Sequence, residues 1–298
     1  MRLDGRIRAL RPDLSWRRIR ELVARGQVTV KGRVVRDESA EVDEAHAIAI
    51  DPSRPARPHA RLDLERLYED DEILVIDKPA GLLTIASEAS RRESEDTVLA
   101  RVQAYARHLH GRRGYAGVLH RLDRDTSGAM VLALTREAHA AGRELFAEHR
   151  FERWYLAIVQ GVPAADRGTI DAHVSRAYAD GRRRLVEADD EGRRAVTHYR
   201  MRERLAGAAL VELRLETGRQ HQIRLHMERL GHPLLGEKVY SDVSSASGIS
   251  GAVAARRQML HAWRLGFPHP LRRTVIEVEA PVPEDFERLL AKLRRGRR

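Results

Sequence analysis

Between Asp51 and Arg61 the chain reads DPSRPARPHAR, which puts Pro52, Pro55 and Pro58 within seven residues. Proline fixes its own φ and has no amide proton, so this spacing excludes a helix and an interior strand. The stretch is a linker that divides the 298 residues unequally. A module over residues 1–50, a linker over 51–64 and a larger domain over 65–298 are expected.

The first part has the signals of a compact α/β module. Ser15 can cap a helix through WRRIRELVARG, Ile19, Leu22 and Val23 share one face, and Gly26 follows as a C-terminal cap. Arg17, Arg18, Arg20 and Arg25 occupy the rest of that helix. Val28–Val30 and Val34–Val35 read as short strands around the turn Lys31-Gly32-Arg33, and Ala47–Ile50 as another.

Beyond the linker, short apolar runs alternate with helical periodicities. Glu72–Ile76, Gly117–His120, Ala129–Leu134, Tyr155–Val159, Ala208–Leu215 and Arg273–Val278 read as strands. Helices are expected in DTVLARVQAYARHL, over 136–150, and in the second half of TGRQHQIRLHMERLGHP. Residues 178–195 read as an exposed hairpin, SDVSSASGISG as a small-residue loop, and LLAKLRRGRR as a basic helix or tail. Strands with interspersed helices make the fold class α+β.

Charge narrows the partners. Basic residues number 54 and acidic residues 44, a net +10, and lysine supplies only Lys31, Lys78, Lys238 and Lys292. Residues 1–36 hold 11 basic and 3 acidic residues; residues 37–77 hold 4 basic and 13 acidic. Arginine's flat fork grips phosphate and stacks on bases. Nucleic acid is the polyanion such a surface suits, although on charge alone a solvated basic face weighs equally. Cysteine is absent, which excludes disulfides, thiolate nucleophiles and cysteine-ligated zinc. MRLDGRIRALRPD has no apolar signal core, and no apolar run approaches the ~18 residues of a membrane span. A soluble, cytoplasmic chain is expected.

Two segments are dense in chemistry. His120-Arg-Leu-Asp-Arg-Asp-Thr-Ser-Gly128 packs a histidine, two arginines, two aspartates and two hydroxyls between apolar strands. Asp, Thr, Ser and Gly are ordinary turn residues, and on polarity alone a turn leads by about two to one. A turn does not need His120 and Arg121, however, and a charged group at a strand end suggests a site. The second segment, Gly218–His226, brings Arg219, His221, Gln222, Arg224 and His226 together, either as a polar helix start or as a cationic floor for an anion. Competing motifs fail. GHPLLGEKV lacks the Gly-Lys-Ser/Thr end of a P-loop because Glu237 precedes the lysine. His221 with His226, and His108 with His110, have no third ligand, so no metal site is expected.

HRLDRDTSG followed by an apolar strand resembles the signature of the RluA family of RNA pseudouridine synthases. DKPAG (77–81), RWYLAIVQG (153–161), TGRQHQIRLHMERLGHPLLGEKVYS (217–241) and LHAWRLGFPHP (260–270) agree with that family in order and spacing. Members often have lysine where Arg153 stands, which keeps the charge, while residues 84–117 match no motif. Separately, RLDGRIRALRPDLSWRRIRELVARGQVTVKGRVVR resembles the alpha-L RNA-binding motif, the small domain of ribosomal protein S-four type.

The resemblance implies a mixed, mainly antiparallel catalytic sheet and the isomerisation of uridine to pseudouridine in RNA, without cofactor or metal. It assigns catalysis to Asp123, Tyr155 and Arg224. Asp123 is the carboxylate near the sugar, Arg224 its partnering cation, and Tyr155 the ring under the uracil. The target base must leave its stack, and Arg121 is the candidate to fill its place or hold the next phosphate. His120, Lys78, Arg219 and Gln222 are further RNA-binding candidates, and Arg17, Arg18, Arg25 and Lys31 form the module's RNA handle. Ribosomal RNA is favoured over transfer RNA, with a monomeric enzyme. The competing class is a non-catalytic RNA-binding ribosome-assembly factor, which would not need a carboxylate among arginines.

Overall fold

The structure, a computed structural model, describes residues 1–35, 38–43, 45–53, 62–86, 96–110, 113–176, 178, 182–187, 192–240 and 255–296. Pro55, Pro58 and the loop 241–251 lie outside the described residues.

The N-terminal residues form α1 (Leu3–Leu10), α2 (Trp16–Ala24) and a three-stranded antiparallel sheet ordered β2-β1-β3, with β1 Val28–Val30, β2 Arg33–Val34 and β3 Ile48–Ile50. Ser15 caps α2, its side chain accepting from Arg18 N at 3.2 Å. Lys31 and Gly32 turn the β1–β2 hairpin with φ of 52° and 76°. Leu3, Ile7, Ile19, Leu22, Val23, Val28, Val30 and Val42 make a core of their own. The helix α1 was not apparent in the sequence. It is eight residues long, has no side-chain N-cap, and buries only Leu3 and Ile7, too little to mark a period.

The rest of the chain builds one large sheet. Its strands are β4 (Glu65–Glu69), β5 (Ile73–Lys78), β6 (Gly117–Val118), β7 (Ser127–Ala133), β8 (Glu152–Gln160), β9 (Arg167–Val174), β10 (Leu185–Val186), β11 (Arg193–Leu205), β12 (Ala208–Leu215), β13 (Leu260–Pro268) and β14 (Val275–Glu279). The order is β10-β9-β11-β12-β8-β13-β7-β5-β4, with β14 on β13 and β6 on β7. β13 and β7 run parallel and the other pairs are antiparallel, which is the mixed, mainly antiparallel sheet of the expected α+β class. The strand expected over 117–120 is shorter, ending at Val118. The described part of 178–195 includes the edge strand β10, paired to β9.

Alternation along the strands explains the layers. In β5, Leu74 and Ile76 join one apolar cluster while Ile73 and Val75 join another. In β7, Met130 and Leu132 join the first, and Ala129, Val131 and Ala133 the second. Both faces are therefore buried, which is why these strands read as unbroken apolar runs. Helices α3 (Val98–His110) and α5 (Gln222–Arg229) supply Val98, Val102, Ile223 and Met227 to the first cluster. α4 (Arg136–Ala147) covers the second, and α6 (Glu284–Arg295) covers Leu156, Ile158 and Leu210 in a third. Tyr155, Ala157 and Val159 of β8 face the α3–α5 side, so the ring of Tyr155 lies on the face that carries α5.

Gly128 fixes where β7 meets β13. Its φ is +116°, and a Cβ there would stand 2.2 Å from Ala262 O and 2.7 Å from Ala262 N. Strain and collision with backbone add. Gly128→Ala should lower unfolding stability by roughly 2–4 kcal/mol in urea melts; wild-type stability would show that the β7–β13 contact is not as tight as described.

Candidate active site

A cavity of about 330 Å³ opens on the α5 face of the sheet. Asp123, Tyr155 and Arg224 all line it, as do His120, Arg121, Arg153, Arg219, His221 and Gln222. The segments that stood out in the sequence thus meet in one place.

The loop that carries Asp123 is held from below through its backbone. Lys78, at the end of β5, is fully buried and gives its three Nζ protons to Pro79 O, Leu82 O and Arg124 O at 2.8, 2.8 and 2.9 Å. Burial pushes its pKa down to about 7, against the pull of Asp123 and Asp125. Thr84 Oγ1 donates to Leu122 O at 2.8 Å, and Gln258 Nε2 donates to Thr126 Oγ1 at 2.9 Å. Arg257 Nη1 donates to Asp125 O at 3.0 Å while its fork is fixed by Asp285 of α6 at 2.6 and 2.9 Å. The Asp123 side chain, 20% exposed, projects from this anchored turn into the cavity.

Arg224 stands between two carboxylates. Its Nη1 donates to Asp123 Oδ2 at 3.3 Å, the ion pair expected from the resemblance. Its Nε and Nη2 form a bidentate pair with Glu237, both at 2.7 Å. Glu237 also accepts from Lys238 N at 3.0 Å and Val239 N at 2.8 Å. Burial pushes its carboxyl up, but the Arg224 hydrogen bonds and charge outweigh this and hold it below the usual carboxylate range. The Tyr240 ring lies under the Arg224 guanidinium, 4.9 Å from centroid to Cζ. His221 Nδ1 meets Tyr240 Oη at 2.6 Å, and its Nε2 lies 3.9 Å from Asp123 Oδ1. Burial lowers the His221 pKa, and Asp123 opposes that. With Tyr240 donating to Nδ1, the imidazole proton sits on Nε2, toward Asp123.

The far wall is apolar and cationic. Tyr155 is 6% exposed, and burial raises its phenol pKa, so the hydroxyl keeps its proton at neutral pH. Arg153, one pleat away on the same face, donates to Glu216 O at 3.1 Å and lies 4.8 Å over the Phe146 ring. Its buried Nε has no partner among the described residues.

Several RNA-binding candidates are placed otherwise than expected. Lys78 has no exposed surface and no spare proton, so it is a fastening for the Asp123 loop and not an RNA contact. Gln222 is 2% exposed; its Oε1 accepts from Thr217 Oγ1 and Arg219 N, and its Nε2 donates to Val196 O and Thr197 Oγ1. It staples α5 to β11. His120 stacks on Phe146 at 5.9 Å and accepts from Val131 N at 3.2 Å, and burial drops its pKa to about 3, so it is a neutral wall. Arg121 is exposed at the cavity rim, and Arg219 lies half-buried with its Nε on Arg194 O. Arg17, Arg25 and Lys31 are exposed, and Arg18 is partly so, with Glu21 pairing to Arg17 and Arg18. Sequence inspection named His221 in the Gly218–His226 segment but passed over Glu237, Tyr240 and Arg257 as site residues.

Among the described residues, Asp70, Glu72 and His269 have ligand atoms within 4.8 Å of one another. Arg272 pairs with both carboxylates, and His269 Nε2 donates to Asp70 at 2.9 Å. The trio is a closed ion network beside β4 and β5.

The model of the RNA pseudouridylate synthase family matches residues 72–229. The chain is 38% identical over 299 residues to the ribosomal large subunit pseudouridine synthase D of Zymomonas mobilis, with 98% of this chain and 93% of that protein covered. It is 37% identical over 302 residues to the protein of the same name from Xylella fastidiosa, covering 98% and 89%. The solved structure of human RNA pseudouridylate synthase domain containing 4 superposes with a TM-score of 0.63 at 27% identity, over 77% of this chain and 93% of that one. The matching family and the relatives' names make this chain an isomerase that acts on RNA. The chain belongs to the RNA pseudouridylate synthase family.

Replacing Glu237 tests how Arg224 is held. Glu237→Gln removes the buried counter-charge and should cost about 3 kcal/mol in urea melts at pH 7. A carboxyl held below its ordinary value stabilises the fold above its unfolded pKa of ~4.3, and that contribution fades as pH falls through the lower folded value. The gap between wild type and variant should therefore be full at pH 7 and narrow as the pH drops below about 4. A gap that ignores pH would show that Glu237 charge is not what holds Arg224.

Proposed function

We propose that this protein isomerises uridine to pseudouridine in large-subunit ribosomal RNA. One observation carries the reading most: Asp123 projects from a turn whose backbone is fixed by buried side chains, into a cavity also lined by Arg224 and Tyr155. The ribosomal substrate is supported by likeness, over nearly the whole chain, to proteins named as acting on the large ribosomal subunit.

In this reading Asp123 assists cleavage of the bond between ribose and the uracil nitrogen, the task a carboxylate performs beside a glycosidic bond. Arg224 holds Asp123 in place through their 3.3 Å ion pair. The Tyr155 ring lies along the flipped uracil, and its protonated hydroxyl is available to pass a proton as the rotated base regains aromaticity. Arg121, exposed at the rim and without a hydrogen-bond partner among the described residues, occupies the gap left in the RNA or grips the adjoining phosphate. Residues 1–50 form an RNA-binding domain of ribosomal protein S-four type, 51–64 a linker and 65–298 the catalytic domain. Support for the first is its separate core and its exposed arginines on α2. The enzyme acts as a monomer, and ribosomal RNA as substrate suits the cytoplasm.

Asp123→Asn should reduce pseudouridine formation in an unmodified large-subunit ribosomal RNA transcript by at least ~10³-fold. Its affinity for the same RNA should stay within about threefold, because the change leaves every phosphate contact in place. Turnover near the wild-type rate would remove Asp123 from the chemistry. In a separate experiment, replacing Arg17, Arg18 and Arg25 together by alanine should weaken RNA binding and reduce the slope of log K against log salt by up to about 3. An unchanged slope would detach the module from RNA.

A further inference from the structure

A second cavity, of about 470 Å³, adjoins the catalytic one and shares with it the wall Gly218-Arg219-Gln220. Arg176, Arg183, Arg193 and Arg219 line it, and among the described residues no carboxylate does. The crowding is felt by Arg219, which burial, and then the charge of Arg193, push below its ordinary value. Gathered cations repel one another in the free protein and attract an anion from solution.

The arginines are presented in different ways. Arg183 is fixed in advance: Nη1 donates to Ser175 O at 3.0 Å, Nη2 to Gln220 Oε1 at 2.9 Å, and its backbone N to Tyr240 Oη at 3.2 Å. Its buried Nε has no partner among the described residues. Arg193 is exposed and makes no ion pair among the described residues. Its neighbour Arg194 is spent in a bidentate pair with Asp171, with contacts of 2.6 to 3.1 Å. Adjacent residues of a strand point to opposite faces, so β11 turns one arginine into the cavity and neutralises the other.

Resting on the RNA function proposed above, we infer that this cavity binds a backbone phosphate of the RNA substrate beside the flipped nucleotide. Gly218 lies in the wall between the two cavities and leaves room for the Arg153 guanidinium, since a Cβ there would strike Arg153 Nη1 at 2.4 Å; a strand leaving the catalytic cavity along this wall follows Arg153 and Arg219. It then passes directly to the arginines, whose forks match phosphate oxygens in pairs. The adjoining nucleotide is held while the target base sits against Tyr155. This second cavity sets affinity and register, and the bond chemistry stays with Asp123.

The test uses Arg193→Ala, an exposed position that leaves the core untouched, with Arg194→Ala as control. Binding to an unmodified large-subunit ribosomal RNA transcript is measured across a salt series. Arg193→Ala should weaken binding about tenfold and lower the log–log salt slope by about 1. Its single-turnover rate at saturating enzyme should stay within about twofold of wild type, and Arg194→Ala should match wild type throughout. Ethylation of a phosphate flanking the modified uridine should weaken wild type and leave Arg193→Ala indifferent. Wild-type affinity and slope in Arg193→Ala overturn the inference, and so does ethylation interference that is the same in both proteins. Inorganic phosphate that competes with RNA through Arg193 at constant ionic strength, without any flanking-phosphate interference, also overturns it in favour of a free anion. If wild type binds RNA through Arg193 but forms no pseudouridine, the proposed activity fails and this subsite stands.

Discussion

The site depends on two buried cations that spend themselves on backbone oxygens. Lys78 gathers Pro79 O, Leu82 O and Arg124 O, and Arg257 holds Asp125 O. The turn that enters β7, beside its parallel junction with β13, directs the carbonyls of Leu122, Arg124 and Asp125 at buried side chains. Buried acceptors without donors are costly, so each needs a donor that comes from elsewhere in the chain. The lysine comes from DKPAG, 46 residues before its furthest acceptor, and the arginine stands just before LHAWRLGFPHP, 132 residues after the acceptor Asp125 O. The order of the motifs in this chain is thus partly an order of supports. Motifs that look like substrate contacts in one dimension are fastenings in three.

Above that foundation, charge is divided unequally around Arg224. The Nε–Nη2 fork is taken by Glu237 at 2.7 Å, and only Nη1 remains for Asp123, at 3.3 Å. The shorter, bidentate contact fixes the arginine. The longer one neutralises Asp123 without enclosing it, and that carboxylate keeps 20% of its surface while Glu237 keeps none. Two carboxylates sharing one arginine would otherwise leave excess negative charge. The three backbone N–H groups that face Glu237, from Lys238, Val239 and Tyr240, spread part of it. A carboxylate can then remain reactive in a cleft that its own counter-ion does not close.

What the sequence disclosed follows the same division. Elements with strong local signals were legible: α2 through Ser15, β7 through its apolar run, and α4 through its period. β9 was not, because its burial alternates between exposed and half-buried residues, as an outer strand's does. β11 was hidden by the charged residues of its solvent side, and β4 by three charged residues in five. In the site, Asp123, Tyr155 and Arg224 were legible from the resemblance. Lys78 and Gln222 were legible as residues and mistaken in role, since sequence shows a charge or an amide without showing which atoms satisfy it. Glu237 and Tyr240 carry no period and meet Arg224 only through the fold.

The acidic stretch between the basic ends had no account in the sequence, and the fold supplies part of one. Glu69 takes a hydrogen bond from Tyr105 Oη at 2.5 Å and pairs with Arg66 at 3.1 Å. Asp70 accepts from Tyr68 Oη, from the N–H groups of Glu72 and Ile73, and from His269 Nε2, all between 2.7 and 2.9 Å. These carboxylates tie the β4–β5 edge to α3 and to the turn after β13, 199 residues later in the case of His269. Negative charge consumed inside the fold does not oppose a polyanion outside it. Asp77 marks the boundary of this use: burial and then Glu65 push its pKa up to about 6, so next to Lys78 the sheet tolerates a carboxyl that is only weakly committed to its charge. Asp70, turned inward, therefore does not oppose an approaching RNA, while Arg121, Arg193 and Arg17, Arg20 and Arg25 of α2 are exposed to one.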